Sequence, residues 1–325
     1  MYRRHFEYHG DPKTREDQRL RCHWCQIRQF STHEKYPIAI INDVDNAELP
    51  ENFQFIEKSI LGRGVEPADD AFRSGCECVD DRECERRDCH CLEDMDLDDR
   101  APADAKVYMY HSTGSKKECL RSAVLGSRDP IYECHSSCAC SQECNNRVVE
   151  RGRKIRLEIF RTKDRGWGVR SRDRIKKGQY IDKYVGEILT ADEANKRREA
   201  SDVAQQKDVY LFALDKFSNP DDMDPRLAGP PLEVDGEFFS GPTRFVNHSC
   251  DPNLRSFARV GDHADKHLHD LALFAIRDIE IGEELTFDYV DGEETDLEED
   301  SRNPSKKKDM TKCLCGSKNC RGFLW

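Results

Sequence analysis

Apolar and polar residues alternate along much of the second half of the chain, and this pattern predicts short β-strands. The predicted strands cover residues 155–160, 180–189, 208–215, 232–234, 254–260, 268–276 and 284–289. Turn pairs separate several of them, namely Lys177-Gly178, Asp235-Gly236 and Gly261-Asp262. One helix is predicted from Thr190 to about Gln206, because Glu193 stands at the capping-box offset from Thr190 and charged residues follow. The sequence therefore predicts a mostly β fold with irregular loops and few helices.

Changes in composition divide the chain into five segments. Residues 1–70 are mixed and polar, which favours an arm that wraps around the rest of the protein over a separate domain. Residues 71–148 hold two dense groups of cysteines, whereas residues 149–291 are poor in cysteine and rich in predicted strands. An acidic run followed by a basic one makes residues 292–308 a predicted mobile linker, and the last cysteine group lies in residues 309–325.

The charge balance points to a cationic partner. The 325 residues include 52 basic and 64 acidic side chains, which gives a formal net charge of −12 at pH 7. A general duplex-DNA binder needs a cationic face to displace phosphate counterions, so this balance argues against that class of protein.

Targeting signals and cysteine usage indicate the compartment. No run of about 18 apolar residues is present, so we expect no transmembrane helix. The first residues are partly basic but lack an apolar stretch behind them, and we do not expect a signal peptide. Sixteen cysteines without such a signal indicate a reducing compartment and metal binding rather than disulfides.

Most of the cysteines occur at metal-ligand spacing. Nine of them form two dense groups: Cys76, Cys78, Cys84, Cys89, Cys91, Cys134, Cys138, Cys140 and Cys144. Structural zinc takes four ligands, and short spacings let one loop supply several. Nine thiolates can hold three zinc ions if three of them bridge two metals, or two separate ions with one cysteine left over; spacing alone leaves both arrangements open. Near the C-terminus, Cys313, Cys315 and Cys320 are one ligand short, and Cys250 is the obvious fourth.

Two smaller constellations are weaker candidates for metal sites. Cys22 and Cys25 form a C-x2-C pair with His33 downstream, but no fourth ligand is apparent, and free cysteines are commonly small buried apolar residues. Three histidines stand close together before a predicted strand: His263, His267 and His269. Without cysteine or carboxylate support they more simply border a turn.

Three short stretches carry candidate chemistry: RGWGV at 165–169, RFVNHSC at 244–250 and GEELTFDY at 282–289. Glycines on both sides of a tryptophan let a ligand approach the backbone closely. The second stretch packs an amide, an imidazole and a metal-ligand thiol into seven positions, and the third ends a strand with two aromatic residues on one face. Each stretch alone is weak evidence, because G-x-G is common in turns and F-x-Y pairs are more often part of a core. No P-loop, dinucleotide fingerprint or H-E-x-x-H motif is present.

Taken together and in this order, the three stretches closely resemble the SET domain of protein lysine methyltransferases. The nine-cysteine block looks like a pre-SET domain, and the C-x-C-x4-C tail looks like a post-SET domain. This combination is similar to the suppressor-of-variegation type of histone H3 lysine 9 methyltransferases, most closely to the compact fungal enzymes. The resemblance covers about residues 70–325 and leaves residues 1–70 unexplained; no chromodomain, with which many animal relatives begin, is found.

The resemblance implies four zinc ions and a particular chain crossing. In the family the pre-SET block is a triangular cluster of three zincs and nine cysteines, and the post-SET zinc takes the three tail cysteines together with the one here at Cys250. The segment at Asn247 and His248 would pass beneath the one that ends at Tyr289 and form a pseudoknot, an exception to the usual rule against threaded connections.

The resemblance also implies roles for individual residues. Those expected to line an S-adenosyl-L-methionine site are Arg161, Arg165, Gly166, Trp167, Gly168, Tyr210, Arg244, Asn247, His248 and Trp325. Tyr184 and Tyr289 would frame the channel for the substrate lysine, with Phe287 beside it. Asp215 is a candidate anion for a substrate arginine.

These features predict a histone-lysine N-methyltransferase that uses S-adenosyl-L-methionine to modify lysine 9 of histone H3 in heterochromatin formation and gene silencing. Phenylalanine at position 287, where some relatives have tyrosine, predicts trimethyllysine as the product. The expected partners are the histone H3 tail and chromatin in the nucleus. We expect a monomer that binds neither membranes nor specific nucleic-acid sequences.

Two other classes of protein compete with this interpretation. A zinc-stapled chromatin-binding module without activity fits the cysteine blocks, but it need not keep the complete set of Trp167, Asn247, His248 and Tyr289. A nucleic-acid-binding zinc protein would use the basic residues at 151–156 and 306–308. Such short runs are more often solvated faces, and the net charge opposes this class.

Overall fold

Short strands joined by turns make up most of the protein, as the alternating pattern predicts. The structure, a computed structural model, describes residues 15–95, 109–200, 210–290 and 310–324. In chain order its strands are β1 Ile38–Ile41, β2 Gln54–Phe55, β3 Ile60–Leu61, β4 Ile131–Tyr132, β5 Leu157–Arg161, β6 Trp167–Ser171, β7 Tyr180–Tyr184, β8 Glu187–Leu189, β9 Leu211–Ala213, β10 Glu233–Asp235, β11 Phe239–Ser240, β12 Asn247–His248, β13 Leu254–Val260, β14 Asp270–Ala275 and β15 Glu284–Phe287. The α-helices of the described residues are few and short: α1 Arg15–Arg21, α2 His23–Arg28, α3 Ser122–Gly126, α4 Ala191–Ala200 and α5 Pro225–Ala228.

Every predicted strand range overlaps an observed strand, but β1–β4, β6, β11 and β12 were not predicted. The pattern over residues 254–260 coincides with β13. The single strand predicted over residues 180–189 is instead two strands, β7 and β8, which belong to different sheets. They separate at Gly186, where an added Cβ would lie 2.3 Å from the carbonyl oxygen of Asp235. Only glycine permits this approach, so the chain leaves one sheet for the next at that point.

The helix predicted from Thr190 is present as α4 and begins at the predicted position. Helix α4 starts directly after Thr190, whose Oγ1 accepts a hydrogen bond from the backbone N–H of Glu193 at 3.4 Å. The helix is described as far as Ala200. The rest of the predicted helix, the first two residues of the strand predicted over 208–215 and the predicted linker over 292–308 lie outside the described residues.

The strands form three larger sheets and one small one. Their orders are β1-β5-β6-β15-β12, β3-β8-β10-β9, β4-β13-β14-β7 and β2-β11. The largest hydrophobic core combines inward-facing residues of the first sheet, such as Ile159 and Leu285, with Ile181 of β7 and Leu273 of β14. Each such side chain contributes roughly 1.5–3 kcal/mol through burial. Phe287 belongs to this core, and the partly buried Trp167 and Tyr289 pack against it.

Residues near the N-terminus are built into the same sheets. Strand β1 pairs in parallel with β5, β2 with β11, and β3 with β8. Phe53, just before β2, is fully buried and packs edge-on against Phe245 with ring centroids 5.3 Å apart. These residues therefore share a core with the strands that carry the candidate active site.

A buried ion cluster joins the cysteine-rich region to the sheet β4-β13-β14-β7. The carboxylate of Glu133, the neighbour of Cys134, is completely buried and accepts a hydrogen bond from Nε of Arg259 at 3.1 Å and one from the hydroxyl of Tyr110 at 2.6 Å. It also accepts three backbone N–H groups at 2.8–3.0 Å, from Val148, Val149 and Glu150. Removing a carboxylate from water costs several kcal/mol, so it is tolerated here only because all its partners are in place.

We predict that Glu133→Gln destabilises the protein by about 3–5 kcal/mol, because it leaves the buried guanidinium of Arg259 without its main counter-charge. Urea unfolding followed by circular dichroism measures the change in the free energy of unfolding. Glu143→Gln is the control: it removes an exposed acid of the same region and should change stability by no more than about 0.5 kcal/mol. Equal effects of the two substitutions would contradict a structural role for the buried cluster.

Candidate active site and metal centres

The two motifs RFVNHSC and GEELTFDY meet in a parallel pairing of β12 with β15. Asn247 lies opposite Thr286, and His248 lies opposite Phe287. We call this β12–β15 pairing the crossing. The side chain of Asn253 stabilises it, because its Oδ1 accepts a hydrogen bond from the N–H of Thr286 and its Nδ2 donates one to the carbonyl of Glu284, both at 2.8 Å. The pairing joins residues expected to bind a cofactor to residues expected to line a lysine channel.

Glu284 connects three predicted site residues at this crossing. Its carboxylate accepts hydrogen bonds from Nη2 of Arg165 at 2.6 Å and from Nδ2 of Asn247 at 2.8 Å. The same amide of Asn247 also donates to the carbonyl of Trp167 at 3.1 Å. A Cβ added at Gly168 would lie 2.9 Å from Oε1 of Glu284, so glycine at this position gives the carboxylate room.

The turn before β6 presents Trp167 at the edge of the first sheet. Gly166 has a φ of +68°, a conformation that side chains rarely adopt, so the turn depends on glycine. The guanidinium of Arg161 lies 5.8 Å from the centre of the Trp167 ring and donates through Nε to Asp45 at 2.8 Å. The indole of Trp167, the guanidinium of Arg161 and the backbone of Gly166 therefore lie close together.

Arg244 lies among three aromatic rings. Its guanidinium carbon is 4.1 Å from the ring centre of Tyr210, 4.7 Å from that of Phe53 and 5.0 Å from that of Phe245. Its Nε donates to the carbonyl of Gly236 at 2.9 Å. Cation–π contacts with three rings restrict the motion of this arginine.

The donor set of this region fits S-adenosyl-L-methionine. Guanidinium and amide groups are suited to a carboxylate and to purine nitrogens, aromatic faces are suited to a flat adenine, and carbonyls are suited to an ammonium. Nine of the ten residues predicted for the cofactor are described, and contacts among them or through Glu284 link Arg161, Arg165, Trp167 and Asn247. The tenth, Trp325, lies outside the described residues.

Four aromatic residues form a compact cluster beside the crossing. The ring of Phe212 lies 4.7 Å from that of Tyr184, 5.6 Å from that of Phe287 and 6.1 Å from that of Tyr289, measured between centroids. Phe287 and Tyr289 are 4.8 Å apart. The structure therefore brings together the three residues predicted to line the channel and adds Phe212, which was not predicted.

Both phenol groups of the cluster are held by backbone carbonyls. The hydroxyl of Tyr184 donates to the carbonyl of Tyr210 at 2.9 Å, and that of Tyr289 donates to the carbonyl of Val246 at 2.7 Å. Burial raises the pKa of Tyr184 and of Tyr289 above that of a free phenol, so both remain neutral. The cluster therefore consists of aromatic rings, and the hydroxyl oxygens of Tyr184 and Tyr289 are held in fixed positions.

His248 links the aromatic cluster to the tail cysteines. Its Nδ1 accepts the backbone N–H of Tyr289 at 3.2 Å, so its proton lies on Nε2, which is 3.3 Å from Sγ of Cys250. Desolvation by burial lowers the pKa of His248 to about 4, which keeps the ring neutral.

The nine cysteines of the two dense groups meet in a single buried cluster with Leu92 and Tyr132. Three sets of four sulfurs, each close enough to hold one ion, overlap and share Cys76. The Sγ atom of Cys76 lies 3.8 Å from that of Cys84 and 4.0 Å from that of Cys134. Overlapping sets favour bridging sulfurs over two separate sites.

Arg147 shows that this cluster is suited to anionic, metal-bound thiolates. Its side chain has no exposed surface, and Nη2 donates to Sγ of Cys140 at 3.2 Å. Within the described residues, Nε and Nη1 of this buried cation have no hydrogen-bond partner. Since an uncompensated buried charge is costly, neighbouring thiolates are the groups that can balance it.

The tail cysteines form a second cluster with Cys250, which follows β12. The ligand atoms of Cys250, Cys313, Cys315 and Cys320 lie within 4.8 Å of one another. Arg321 extends the attachment: its N–H donates to Sγ of Cys250, and its guanidinium binds both carboxylate oxygens of Asp288 at 2.6 and 2.7 Å. The tail is thereby fixed next to Tyr289.

The remaining candidates lie elsewhere. Asp215 is exposed and follows β9, the edge strand of its sheet. The three clustered histidines bond to protein groups: His263 to the carbonyl of Cys91 and the carboxylate of Asp94, His267 to the carbonyl of Glu66, and His269 to the carbonyl of Lys266. His33 accepts the N–H of Ile38 at 3.4 Å.

Four residues of these sites were missed by sequence reasoning: Phe53, Arg147, Phe212 and Glu284. Phe212 and Glu284 stand inside predicted strands, and Phe212 lies two positions after Tyr210, which places it on the same face. The two-residue period of a strand could therefore have identified Phe212 from the position of Tyr210. Nothing local marks Phe53 or Arg147, because their partners come from distant parts of the chain.

No helix in the described part of the chain combines the length and apolar character that a membrane crossing requires.

Comparison with known proteins gives matches over most of the chain. Residues 166–290 match the SET domain family, and residues 30–147 match the Pre-SET motif. The second match begins before residue 71, where the sequence pattern placed the start of the cysteine-rich segment.

Two full-length relatives are particularly similar. The chain is 59% identical over 328 residues to "Histone-lysine N-methyltransferase, H3 lysine-9 specific dim-5" of Neurospora crassa, covering 100% of this chain and 99% of that protein. It is 58% identical over 339 residues to the H3 lysine-9 specific histone-lysine N-methyltransferase KMT1 of Fusarium mangiferae, covering 99% of this chain and 97% of that one.

Solved structures agree with this likeness. The structure of the Neurospora SET domain protein DIM-5, a histone lysine methyltransferase, has a TM-score of 0.74 and 58% identity, covering 86% of this chain and 100% of that one. KRYPTONITE in complex with mCHH DNA, an H3(1-15) peptide and SAH has a TM-score of 0.63 and 26% identity, covering 89% of this chain and 52% of that one.

Proposed function

Because this chain belongs to the SET-domain histone-lysine N-methyltransferases, we propose that it transfers methyl groups from S-adenosyl-L-methionine to lysine 9 of histone H3, up to the trimethyl state. The observation that carries the proposal is the β12–β15 crossing, which sets Asn247 and His248 beside Phe287 and Tyr289. Full-length identity to two enzymes named as H3 lysine-9 specific supports the choice of lysine. The role is a nuclear one on chromatin, and we propose that the enzyme acts there as a monomer.

The cofactor would be held by the residues around Trp167 and Arg244. S-adenosyl-L-methionine, when bound, supplies a methyl group on a positively charged sulfur. Asn247 is oriented by Glu284 and offers its amide, while Arg161 and Arg165 offer guanidinium groups near the glycine turn. His248 and Tyr210 complete the set with an imidazole and an aromatic face, and we assign Trp325 to it as well.

The aromatic cluster would receive the substrate lysine. Lysine has a pKa near ~10.4, so only about one side chain in 2,500 is neutral at pH 7, and only the neutral amine can accept a methyl group. Burial among Tyr184, Phe212 and Phe287 disfavours the ammonium form by desolvation. The hydroxyl of Tyr289, fixed by the carbonyl of Val246, can orient the amine. Much of the rate gain would come from alignment, worth about 7–11 kcal/mol for a well-held pair.

The histone tail would dock as an added strand. Among the described strands, β9 pairs only with β10 and leaves its other edge open. A peptide at that edge would gain main-chain hydrogen bonds, and alternate side chains would enter pockets. Asp215, which follows β9, is our candidate partner for an arginine of the tail. The net charge of −12 suits this basic substrate.

We propose that the cysteine clusters hold four zinc ions, three on the nine-cysteine cluster and one on the tail cluster. Three Zn²⁺ ions with nine thiolates leave a charge of about −3, which the buried guanidinium of Arg147 partly offsets. The tail zinc would fix residues 310–324 beside Tyr289, because Cys250 follows β12, which pairs with β15 just before Tyr289.

Elemental analysis of the purified protein should give four zinc ions per chain. Cys313→Ser should reduce the count to three, because three remaining thiolates do not complete a structural site. Cys119→Ser is the control, since Cys119 is buried but lies outside both cysteine clusters, and it should keep all four ions. Two or three tightly held ions in the native protein would contradict the proposed ligand set.

Phe287 should decide the product. A tyrosine hydroxyl at this position would hydrogen-bond the amine and hold it against further methylation, whereas phenylalanine leaves a dimethylated amine free to turn its lone pair. One neutral hydrogen bond contributes about 0.5–1.5 kcal/mol, enough to change the rate of a step by up to about tenfold. We therefore expect Phe287→Tyr to remain active but to accumulate mono- and dimethyllysine, where the native enzyme reaches trimethyllysine.

Mass spectrometry of an H3 tail peptide after prolonged turnover separates these outcomes. Phe72→Tyr, the same change at an exposed position, should leave the product distribution unchanged. A native enzyme that stops at monomethyllysine, or a Phe287→Tyr variant that still trimethylates fully, would show that Phe287 does not control the product.

A further inference from the structure

A lysine-rich cavity lies at the end of β7 opposite the candidate active site. It has a volume of about 140 Å³ and is lined by Lys117, Lys154 and Lys176, together with Glu118, Cys119 and Tyr180. Tyr180 and Tyr184 are the first and last residues of β7, four positions apart, so the cavity lies roughly 13 Å along the strand from the aromatic cluster. The predicted chemistry makes no use of this cavity.

The charge of this region is opposite in sign to that of the whole chain. Six cations surround the cavity, namely Arg151, the three lining lysines and the adjacent Lys116 and Lys177, and all five lysines are exposed. Two carboxylates stand against them, Glu118 and Asp278. The excess is about four positive charges on a protein that carries −12 overall.

The two acids of the region already have protein partners. The carboxylate of Glu118 binds both Nη2 of Arg151 and Nζ of Lys154 at 2.8 Å. Asp278 accepts the backbone N–H of Lys177 at 2.7 Å. Lys116 and Lys117 form no ion pair within the described ranges, and Nζ of Lys176 donates to the carbonyl of Ser115. Burial raises the pKa of the Cys119 thiol, which therefore adds no negative charge.

We propose that this basic cavity and its rim contact the phosphate backbone of DNA in the nucleosome that presents the histone tail. The proposal rests on the proposed function, since a histone substrate in chromatin always has duplex DNA beside it. Phosphate contacts position a protein without reading sequence, which is compatible with the expected lack of sequence specificity. The short distance along β7 lets one nucleosome reach both the aromatic cluster and the lysines.

Steady-state methylation of two substrates, the H3 tail peptide and mononucleosomes, tests the proposal. The variant replaces Lys116, Lys117 and Lys176 by glutamine. Its KM for nucleosomes should rise roughly tenfold or more at low salt, and the slope of log KM against log salt should fall by about 0.9 for each lost phosphate contact. Its kcat and KM for the peptide should not change.

A matched control removes three charges elsewhere. Lys35, Lys58 and Arg82 are exposed and lie outside the cavity, and their replacement by glutamine lowers the net charge equally. If both variants raise the nucleosome KM to the same extent, the effect comes from net charge and the site is refuted. It is refuted as well if the cavity variant matches the native enzyme on nucleosomes over the whole salt series.

Binding of a short labelled DNA duplex separates failure of this proposal from failure of the proposed function. The native protein should bind the duplex more tightly than the cavity variant, and this comparison does not require methyl transfer. An enzyme that is inactive on every histone substrate would overturn the proposed function, while the duplex measurement would still decide the role of the lysines.

Discussion

The parallel pairing of β12 with β15 is the contact on which the rest of the site depends. It joins Asn247 and Glu284, which are 37 residues apart in the chain, by a hydrogen bond of 2.8 Å. Strands this short are not stable alone, so the side chain of Asn253 and the core beneath Leu285 must hold them. A displaced pairing would separate the donors around Trp167 from the aromatic cluster, and neither half alone can align a methyl donor with an amine.

The cysteine clusters replace apolar burial in a polar chain. Hydrophobic residues make up only 37% of the sequence, and charged residues make up 36%. The nine-cysteine cluster therefore forms a core of its own, with Arg147 as a buried counter-charge. The tail is attached through Cys250 and the Asp288–Arg321 ion pair. The position of the tail next to Tyr289 should therefore depend on metal binding.

Local patterns predicted the motifs, helix α4 and about half of the strands, but they did not predict the long-range contacts. The sequence pattern placed β13 to the residue, from Leu254 to Val260. The pattern wrongly predicted β7 and β8 as one strand. The close contact between Gly186 and the backbone of Asp235 separates them, and the residues around Gly186 do not indicate that contact. The role of Glu284 could not be predicted for the same reason, because its partners come from strand β12 and from the turn before β6. The family resemblance named the other site residues, but it did not indicate which groups hold them in place.

Methyl transfer to an H3 tail peptide by the native enzyme and by Tyr289→Phe, with the modified residue located by mass spectrometry, tests the central claim most directly. The substitution keeps the ring contacts with Phe212 and Phe287 and removes only the hydroxyl that donates to Val246. We predict methylation of lysine 9 by the native enzyme, and a severe loss of transfer with near-normal cofactor binding in the variant. A fully active variant, or a native enzyme that leaves lysine 9 unmodified, would contradict this account.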